Sequence, residues 1–156
     1  MKVLFVCRGN IERSATAEII GKILCPHWEI KSCGVAAKDG RITSKKMRQA
    51  LSQRGWPAEG IRSTQISQEL VDWADRIFYM DGGNERMFEA AYGKLTKAQR
   101  LTDFVDGANT VPNPAWCKDL TLHLKIVDLI VKALTNIHSQ AEKNTGSSVR
   151  ACEAVA

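Results

Sequence analysis

The sequence lacks the features that mark several common classes of protein. Its five cysteines form no CxxC pair and no zinc-finger spacing, and the odd number leaves at least one thiol unpaired. This usage favours a reduced, cytoplasmic protein over a disulfide-bonded secreted one. No apolar run is long enough for a membrane span, and the stretch before Cys7 is too short for a secretory signal. No internal repeat is visible, which excludes a repeat architecture.

A strong charge of either sign is also missing. The 22 lysines and arginines exceed the 17 aspartates and glutamates, for a net charge of +5. An excess of this size favours anionic ligands, although solvated helix faces would explain it equally well. It is the only feature that points to nucleic acid, which is therefore the weakest candidate partner. A length of 156 residues is typical of one domain with one packed core.

Strand-like and helix-like patterns alternate along the chain. Residues 2–6 are mostly apolar and β-branched, which is typical of a central strand covered by helices on both faces. Further strands are predicted near 28–33, 76–80 and 99–104, and helices near 14–24, 44–54, 67–73, 85–92 and 120–137. This order predicts an α/β doubly wound sheet of about four parallel strands flanked by helices. Residues 139–156 are polar and without periodicity, so we expect a domain of residues 1–138 followed by a mobile tail.

The loop after the first strand has the composition of a phosphate-binding site. The strand ends at Cys7, and five residues separate this cysteine from Arg13 at the start of a helix. A loop of this length can wrap its backbone N–H groups around a tetrahedral oxyanion at the carboxyl end of a strand. Cys7 would lie beneath the anion, where the helix dipole and Arg13 favour the nucleophilic thiolate. Arg13 can bind two phosphoryl oxygens through its planar guanidinium.

Smaller residues in the loop fit the same interpretation. Gly9 permits a close backbone approach or a positive φ, and Asn10 tolerates the left-handed region. Ser14 could cap the helix and donate a hydrogen bond to the thiolate. A purely structural interpretation competes with this one, in which Cys7 is a buried core residue and the turn only reverses the chain. The combination of strand, loop and helix favours phosphate binding.

Residues 6–18, with the sequence VCRGNIERSATAE, resemble the N-terminal signature of the low-molecular-weight protein tyrosine phosphatase family. Weaker similarity extends over most of the chain, at residues 32–34 and 74–81. The resemblance implies a flavodoxin-like fold, no metal or other cofactor, and hydrolysis in two steps through a phosphocysteine. It implies that Cys7 attacks and that Arg13 and the loop bind the phosphoryl group. The supporting loop residues are then Arg8, Gly9, Asn10, Ile11, Glu12 and Ser14.

The resemblance also implies the partners. These are a phosphorylated protein or a small phosphomonoester, with inorganic phosphate or a similar oxyanion as a ligand of the loop, and no membrane. With Ile11, the chain resembles the tyrosine-directed members of the family at this position. Members that act on phosphoarginine carry threonine there. Trp116 is either a wall of the substrate pocket or a core anchor for the last helix. The stretch of residues 36–41 has no aromatic wall, and Lys38 and Arg41 within it could instead contact an acidic substrate. The competing interpretation, in which they are solvated loop charges, describes the more frequent outcome.

The chain departs from the family where the general acid is expected. The family has an aspartate followed by proline in the loop before the last helix, and here Asn113 precedes Pro114. Asparagine cannot protonate a leaving group, and losing a general acid costs roughly 10²- to 10⁴-fold in rate. Three explanations remain open: a naturally slow phosphatase or phosphoryl-group binder, a substrate-trapping variant made by exchanging Asp for Asn, or recruitment of another acid. The candidates for another acid are Asp106, Asp119 and Glu12.

Glu12 is a second departure. Most family members carry a cysteine at this position, which can trap the oxidised nucleophile as a disulfide. A carboxylate beside an anion site is unfavourable unless it points outward or pairs with Arg8 or Arg13. We expect an outward, solvated side chain.

Arsenate reductases offer a rival function on the same fold. They use the same loop and two further cysteines in and after the helix that follows the third strand, whereas residues 81–97 contain none. The sequence therefore predicts a phosphomonoester hydrolase similar to the tyrosine phosphatases, slowed by Asn113. A non-catalytic or substrate-trapping module that binds phosphoryl groups is the alternative.

Overall fold

The computed structural model describes the backbone of residues 1–153 and the side chains of residues 1–146. Four parallel strands form one sheet in the order β2-β1-β3-β4. The strands are β1 (Lys2–Cys7), β2 (Glu29–Gly34), β3 (Arg76–Tyr79) and β4 (Ala98–Arg100). The predicted α/β sheet of four parallel strands is confirmed.

Five α-helices cover the two faces of this sheet. They are α1 (Arg13–Leu24), α2 (Lys45–Gln53), α3 (Gln68–Trp73), α4 (Gly82–Tyr92) and α5 (Leu120–Glu153). Side chains of α1, α2 and α5 form one buried cluster, and side chains of α3 and α4 contribute to the other. Ser44, Ser67 and Asp81 cap α2, α3 and α4, since each side chain accepts a backbone N–H from the first turn.

Strand β1 lies at the centre of both clusters. Its residues Val3 to Val6 are fully buried, which explains the uninterrupted apolar run in the sequence. Val3, Phe5 and Cys7 pack on one face, whereas Leu4 and Val6 pack on the other. The strand therefore ends by placing Cys7 at the carboxyl edge of the sheet, on the face covered by α1 and α5.

Three elements differ from the sequence-based expectation. Strand β4 is only three residues long and a 3-10 helix (Leu101–Phe104) replaces its predicted second half. Helix α4 begins at Gly82 because Asp81 caps it, and the two glycines do not delay its start. Helix α5 continues past residue 137 to Glu153, through residues that were predicted as a tail.

Good helix formers in this segment, glutamine, alanine, glutamate and lysine, support that continuation of α5. The mobility of the segment and the domain division at residue 138 stay predictions, and residues 154–156 of the predicted tail lie outside the described part. No helix within residues 1–153 is both long enough and apolar enough to span a bilayer.

Candidate active site

The carboxyl end of β1 opens into a pocket of about 230 Å³. Three segments line it: the loop after β1, the stretch after β2 and the loop before α5. The lining residues are Cys7, Arg8, Gly9, Asn10, Ile11, Glu12, Arg13, Ala36, Arg41, Asn113 and Ala115. The structure thus brings the predicted nucleophile, the predicted phosphate loop and the residue at the general-acid position into one pocket, although Asn113 lies about a hundred residues from Cys7 in sequence.

Cys7 receives two polar contacts at its sulfur. The Asn10 backbone N–H donates to Sγ at 3.2 Å, and the Ser14 Oγ lies 2.9 Å from the same sulfur. The Ser14 hydroxyl has one hydrogen and also lies 3.3 Å from the carbonyl oxygen of Cys33. When Cys7 is a thiolate, the Ser14 hydroxyl donates its hydrogen bond to the sulfur and not to the Cys33 carbonyl oxygen, because a charged acceptor forms the stronger bond.

Asn10 holds the loop in shape. It is fully buried and has a φ of 55°, in the left-handed region that asparagine tolerates. Its Nδ2 donates to Ser14 Oγ at 2.8 Å and to Ser32 Oγ at 2.9 Å, and its Oδ1 accepts the Thr64 N–H at 2.9 Å. The three bonds tie the loop to α1, to β2 and to the segment before α3.

Of the two roles that Gly9 permits, a positive φ is not used, since the left-handed residue of the loop is Asn10. One expectation for the loop needs correction. Ser14 does not cap α1, because Glu12 occupies the N-cap position and Ser14 lies inside the first turn, where its hydroxyl reaches Cys7 instead.

Gly34 at the end of β2 makes the closest approach to the loop. A Cβ built there would lie 2.5 Å from the Arg8 carbonyl oxygen and 3.0 Å from the Asn10 nitrogen. No side chain fits at this position without displacing the loop backbone. The similarity seen at residues 32–34 therefore corresponds to a packing requirement of the site.

Arg13 is buried, with 3% of its side chain exposed, and is held from one side only. Its Nη1 donates to Asp81 Oδ2 at 2.5 Å and to the Val111 carbonyl oxygen at 3.1 Å. Its Nε and Nη2 have no acceptor among the described residues. These two nitrogens form a planar edge whose geometry can bind two oxygens of a phosphoryl group.

Asp81 is the functional residue that the sequence analysis missed. It stands at the end of β3, caps α4 through the Asn84 N–H at 2.7 Å, and orients Arg13. Partial burial works to raise the pKa of Asp81, but the hydrogen bond and charge of Arg13 and the backbone N–H groups of Asn84 and Gly83 hold it below its ordinary value. The sequence does contain a signal for the position of Asp81. An aspartate that stands at the end of a strand and before two glycines is typical of a helix N-cap.

Replacing Asp81 with asparagine is expected to lower the free energy of unfolding at pH 7 by about 1 to 3 kcal/mol. A carboxyl with a lowered pKa in the folded state stabilises the protein above its unfolded pKa, and this stability is lost as the pH falls through the folded pKa. The Asp81→Asn variant should therefore lose less stability than the parent between about pH 5 and about pH 2. Urea unfolding across this range measures both effects.

The matched control is Asp128→Asn, which breaks an exposed pair with Arg54. Exposed pairs contribute little, so this control should change the unfolding free energy much less than Asp81→Asn does. Identical pH profiles for the parent and Asp81→Asn would contradict the assignment of Asp81.

Asn113 lies on the pocket lining in a short turn. Its Oδ1 accepts the Ala115 N–H at 3.1 Å. The loop that carries it is tied down by Val111, which donates its N–H to the Met80 carbonyl oxygen and accepts from Arg13. The loop thus holds residue 113 at the pocket, where the general acid is expected, and the side chain there is an amide and not a carboxyl.

The other candidate acids are placed less well. Asp106 lies against a separate depression beside α5, and Asp119 does not line the pocket. Hydrogen bonds from Thr121 hold the pKa of Asp119 below its ordinary value, the opposite of what a proton donor at neutral pH requires. Of the three alternatives, Glu12 alone lines the pocket.

The side chain of Glu12 is not solvated outward as expected. Its Oε1 accepts the Ser44 hydroxyl at 2.8 Å and lies 3.4 Å from Nε2 of His123, with 15% of the side chain exposed. His123 is buried on α5, and its Nδ1 lies 3.1 Å from the Asp119 carbonyl oxygen. Glu12 therefore links the phosphate loop to the starts of α2 and α5, and it does not pair with Arg8 or Arg13. This network was missed because its members are far apart in sequence.

Trp116 is not a core anchor. Its side chain is 99% exposed, and its φ is 69°. It is absent from the pocket lining, where its neighbour Ala115 stands instead. A role as a substrate wall stays a prediction and would require contact with a bound substrate.

Cys33 does not replace the cysteine that the family has at the position of Glu12. Cys7 and Cys33 belong to the clusters on opposite faces of the sheet. Burial, together with the charges of Cys7 and Glu18, raises the pKa of Cys33, so it remains a thiol. Among the described residues, no group of three or more His, Cys, Asp or Glu side chains is arranged to hold a metal ion.

A parallel α/β sheet whose first strand delivers a cysteine into an anion-binding loop, beside a buried arginine, defines a class of proteins with a nucleophile aimed at a phosphoryl group. The model of the low molecular weight phosphotyrosine protein phosphatase family matches residues 2–147. The chain belongs to this family, as its N-terminal signature predicted.

Named relatives support the same assignment. A protein-arginine-phosphatase from Geobacillus stearothermophilus is 33% identical over 110 residues, covering 69% of this chain and 74% of the relative. The low molecular weight protein-tyrosine-phosphatase PtpB from Staphylococcus epidermidis is 32% identical over 114 residues, covering 73% and 81%. The solved structure of the YwlE arginine phosphatase from G. stearothermophilus matches with a TM-score of 0.84 at 26% identity, covering 94% of this chain and 96% of that one. The predicted flavodoxin-like fold is confirmed.

Proposed function

We propose that this protein hydrolyses phosphomonoesters, with phosphotyrosine in proteins as the model substrate, through a phosphocysteine on Cys7. The observation that carries the proposal is the buried Arg13, whose Nε and Nη2 have no acceptor among the described residues, in the same pocket as the Cys7 sulfur. Neither nitrogen is among the buried side-chain atoms that lack a partner, so both reach the open pocket and can donate to a ligand there. A phosphoryl group supplies the two oxygens that the edge requires.

The first step is attack by the Cys7 thiolate on phosphorus. The S–P bond forms as the P–O bond to the leaving group breaks, while Arg13 and the loop N–H groups bind the phosphoryl oxygens. Asn113 has no proton to give, and the Glu12 carboxylate is held by Ser44 and lies beside His123, so we take water as the proton donor to the leaving oxygen. The slow step is therefore the departure of a poor leaving group.

The second step is attack by water on the phosphocysteine. The P–O bond to water forms, the S–P bond breaks, and inorganic phosphate leaves with the thiolate restored. The Ser14 hydroxyl, 2.9 Å from the sulfur, can donate to the departing thiolate and lower the cost of its charge.

Two features bear on the substrate and the compartment. Ile11 supports tyrosine over arginine phosphate, following the resemblance noted above, although relatives of both kinds match the chain. The four cysteines with described side chains are all free thiols, which supports a reduced, cytoplasmic setting for a cysteine nucleophile. We propose a phosphorylated protein as the partner, with inorganic phosphate as product.

A burst experiment tests the proposal. 4-Nitrophenyl phosphate has a good leaving group that needs little acid assistance, so we expect a burst of nitrophenol close to one equivalent of enzyme, followed by slower turnover. The burst should vanish in Cys7→Ser and persist in Cys33→Ser, which removes a thiol on the other face of the sheet. Acid quenching and intact-mass measurement should show one added phosphoryl group in the parent protein.

Asn113 favours a second candidate, a non-catalytic or substrate-trapping module that binds phosphoryl groups. Tight binding of inorganic phosphate, with no hydrolysis of 4-nitrophenyl phosphate above that of Cys7→Ser and no covalent adduct, would establish this candidate and refute the hydrolase.

A further inference from the structure

The mouth of the pocket carries two arginines that the catalytic steps above do not use. Arg8 and Arg41 line the pocket, and both are exposed. Neither forms an ion pair with a described residue, and the Arg8 side chain donates only to the Met87 sulfur, at 3.8 Å, among the described residues. Arg54 and Arg100, by contrast, lie on the surface paired with carboxylates.

The mouth carries more positive than negative charge. Among the described residues that line the pocket, Glu12 is the single acidic one. Its carboxylate accepts a hydrogen bond from Ser44 and lies beside His123, and it forms no ion pair with Arg8 or Arg41. Arg13 is paired with Asp81, so the two charges of Arg8 and Arg41 exceed the single charge of Glu12.

The side walls of the pocket are small. Ala36 and Ala115 stand on the stretch after β2 and on the loop before α5, and no aromatic side chain lines the pocket within the described part of the chain. Trp116 is fully solvent-exposed. The lining therefore offers no aromatic face for stacking on a substrate ring, whereas it offers two exposed guanidinium groups.

We infer that Arg8 and Arg41 form a subsite for a carboxylate next to the phosphorylated residue, so that the preferred substrate is a phosphopeptide with an adjacent acidic side chain. This inference rests on the proposed function for the identity of the primary site. A cationic residue beside the phosphate is disfavoured by the same charges. The guanidinium of a phosphoarginine places such a charge next to phosphorus itself.

Matched peptides test the inference. A phosphotyrosine peptide with glutamate on both sides of the phosphotyrosine is compared with the same peptide carrying glutamine. We expect a kcat/KM that is about two- to fivefold higher for the glutamate peptide, the range of an exposed ion pair. The preference should shrink as the salt concentration rises, because exposed charges are screened.

Arg41→Gln should remove most of the preference. The matched control is Lys38→Gln, which removes the same charge from an exposed residue of the same stretch that does not line the pocket. The control should keep the preference. A parent protein that treats both peptides equally, or an equal loss in both variants, would overturn the inference.

Binding separates this inference from the proposed chemistry. Calorimetry with Cys7→Ser compares the affinities of the two peptides without turnover. Tighter binding of the glutamate peptide supports the subsite even if the parent hydrolyses 4-nitrophenyl phosphate no faster than Cys7→Ser, in which case the hydrolase proposal fails alone. A burst in the parent with equal or no binding of the two peptides refutes the subsite alone.

Discussion

Replacing Asn113 with aspartate is expected to raise the rate of hydrolysis of phenyl phosphate by roughly 10²- to 10⁴-fold. The side chain already lies on the pocket lining, and its Oδ1 accepts the Ala115 N–H at 3.1 Å. A carboxyl of the same shape keeps that bond and adds a proton for the leaving oxygen. Because Val111 anchors the loop to Met80 and Arg13, the new acid needs no rearrangement of the backbone.

The gain should depend on the leaving group. The phenoxide that leaves phenyl phosphate needs a proton, and the nitrophenoxide that leaves 4-nitrophenyl phosphate needs it far less. In Asn113→Asp, kcat for phenyl phosphate should therefore rise much more than kcat for 4-nitrophenyl phosphate. The double variant Asn113→Asp with Cys7→Ser should be inactive, which excludes hydrolysis by the new carboxylate alone. Asp106→Asn and Asp119→Asn in the parent should leave the rate unchanged. A rate on phenyl phosphate that does not rise in Asn113→Asp would show that the missing acid is not what limits turnover.

Replacing Arg13 with lysine is expected to lower kcat on 4-nitrophenyl phosphate by roughly 10²- to 10³-fold, the cost of losing one positioned donor to a developing negative charge. Lysine keeps the charge but has one nitrogen, so it cannot both contact Asp81 and present the two-nitrogen edge. The loop amides remain, so the protein should still bind phosphate, with a weaker affinity.

The control for Arg13→Lys is Arg54→Lys, an exposed arginine paired with Asp128 on the surface. Steady-state kinetics and inhibition by inorganic phosphate should be unchanged in the control. If Arg13→Lys keeps a kcat close to that of the parent, Arg13 serves the packing of Asp81 and not the phosphoryl group.

The phosphate loop could be predicted because its determinants are local. The apolar run of β1, the spacing from Cys7 to Arg13 and the start of α1 lie within one stretch of chain, and the loop folds as that order indicates. Asn10 was predicted to tolerate a positive φ and has one. Asn113 was located from its proline neighbour, which is also a local signal.

The residues that escaped prediction act across the fold. Asp81 reaches Arg13 from another strand, and Glu12 reaches His123 on α5. A sequence shows the chemistry of such residues but not their distance, because parallel strands and crossing helices bring together segments that are remote in the chain. The end of α5 was misjudged for another reason. Residues 139–146 of this helix bury little apolar surface, so they show no periodic pattern to detect.

The bonds of Asn10 have a thermodynamic consequence for ligand binding. Fixing the backbone of one residue costs about 1 to 2 kcal/mol in conformational entropy, and a flexible loop would incur that cost for each residue it orders around an anion. In this protein, Ser14, Ser32 and Thr64 hold Asn10, and so the loop turn, before any anion arrives. The loop therefore loses its conformational entropy when the protein folds and not when phosphate binds. The contacts with phosphate then contribute to affinity without the free-energy cost of ordering the loop.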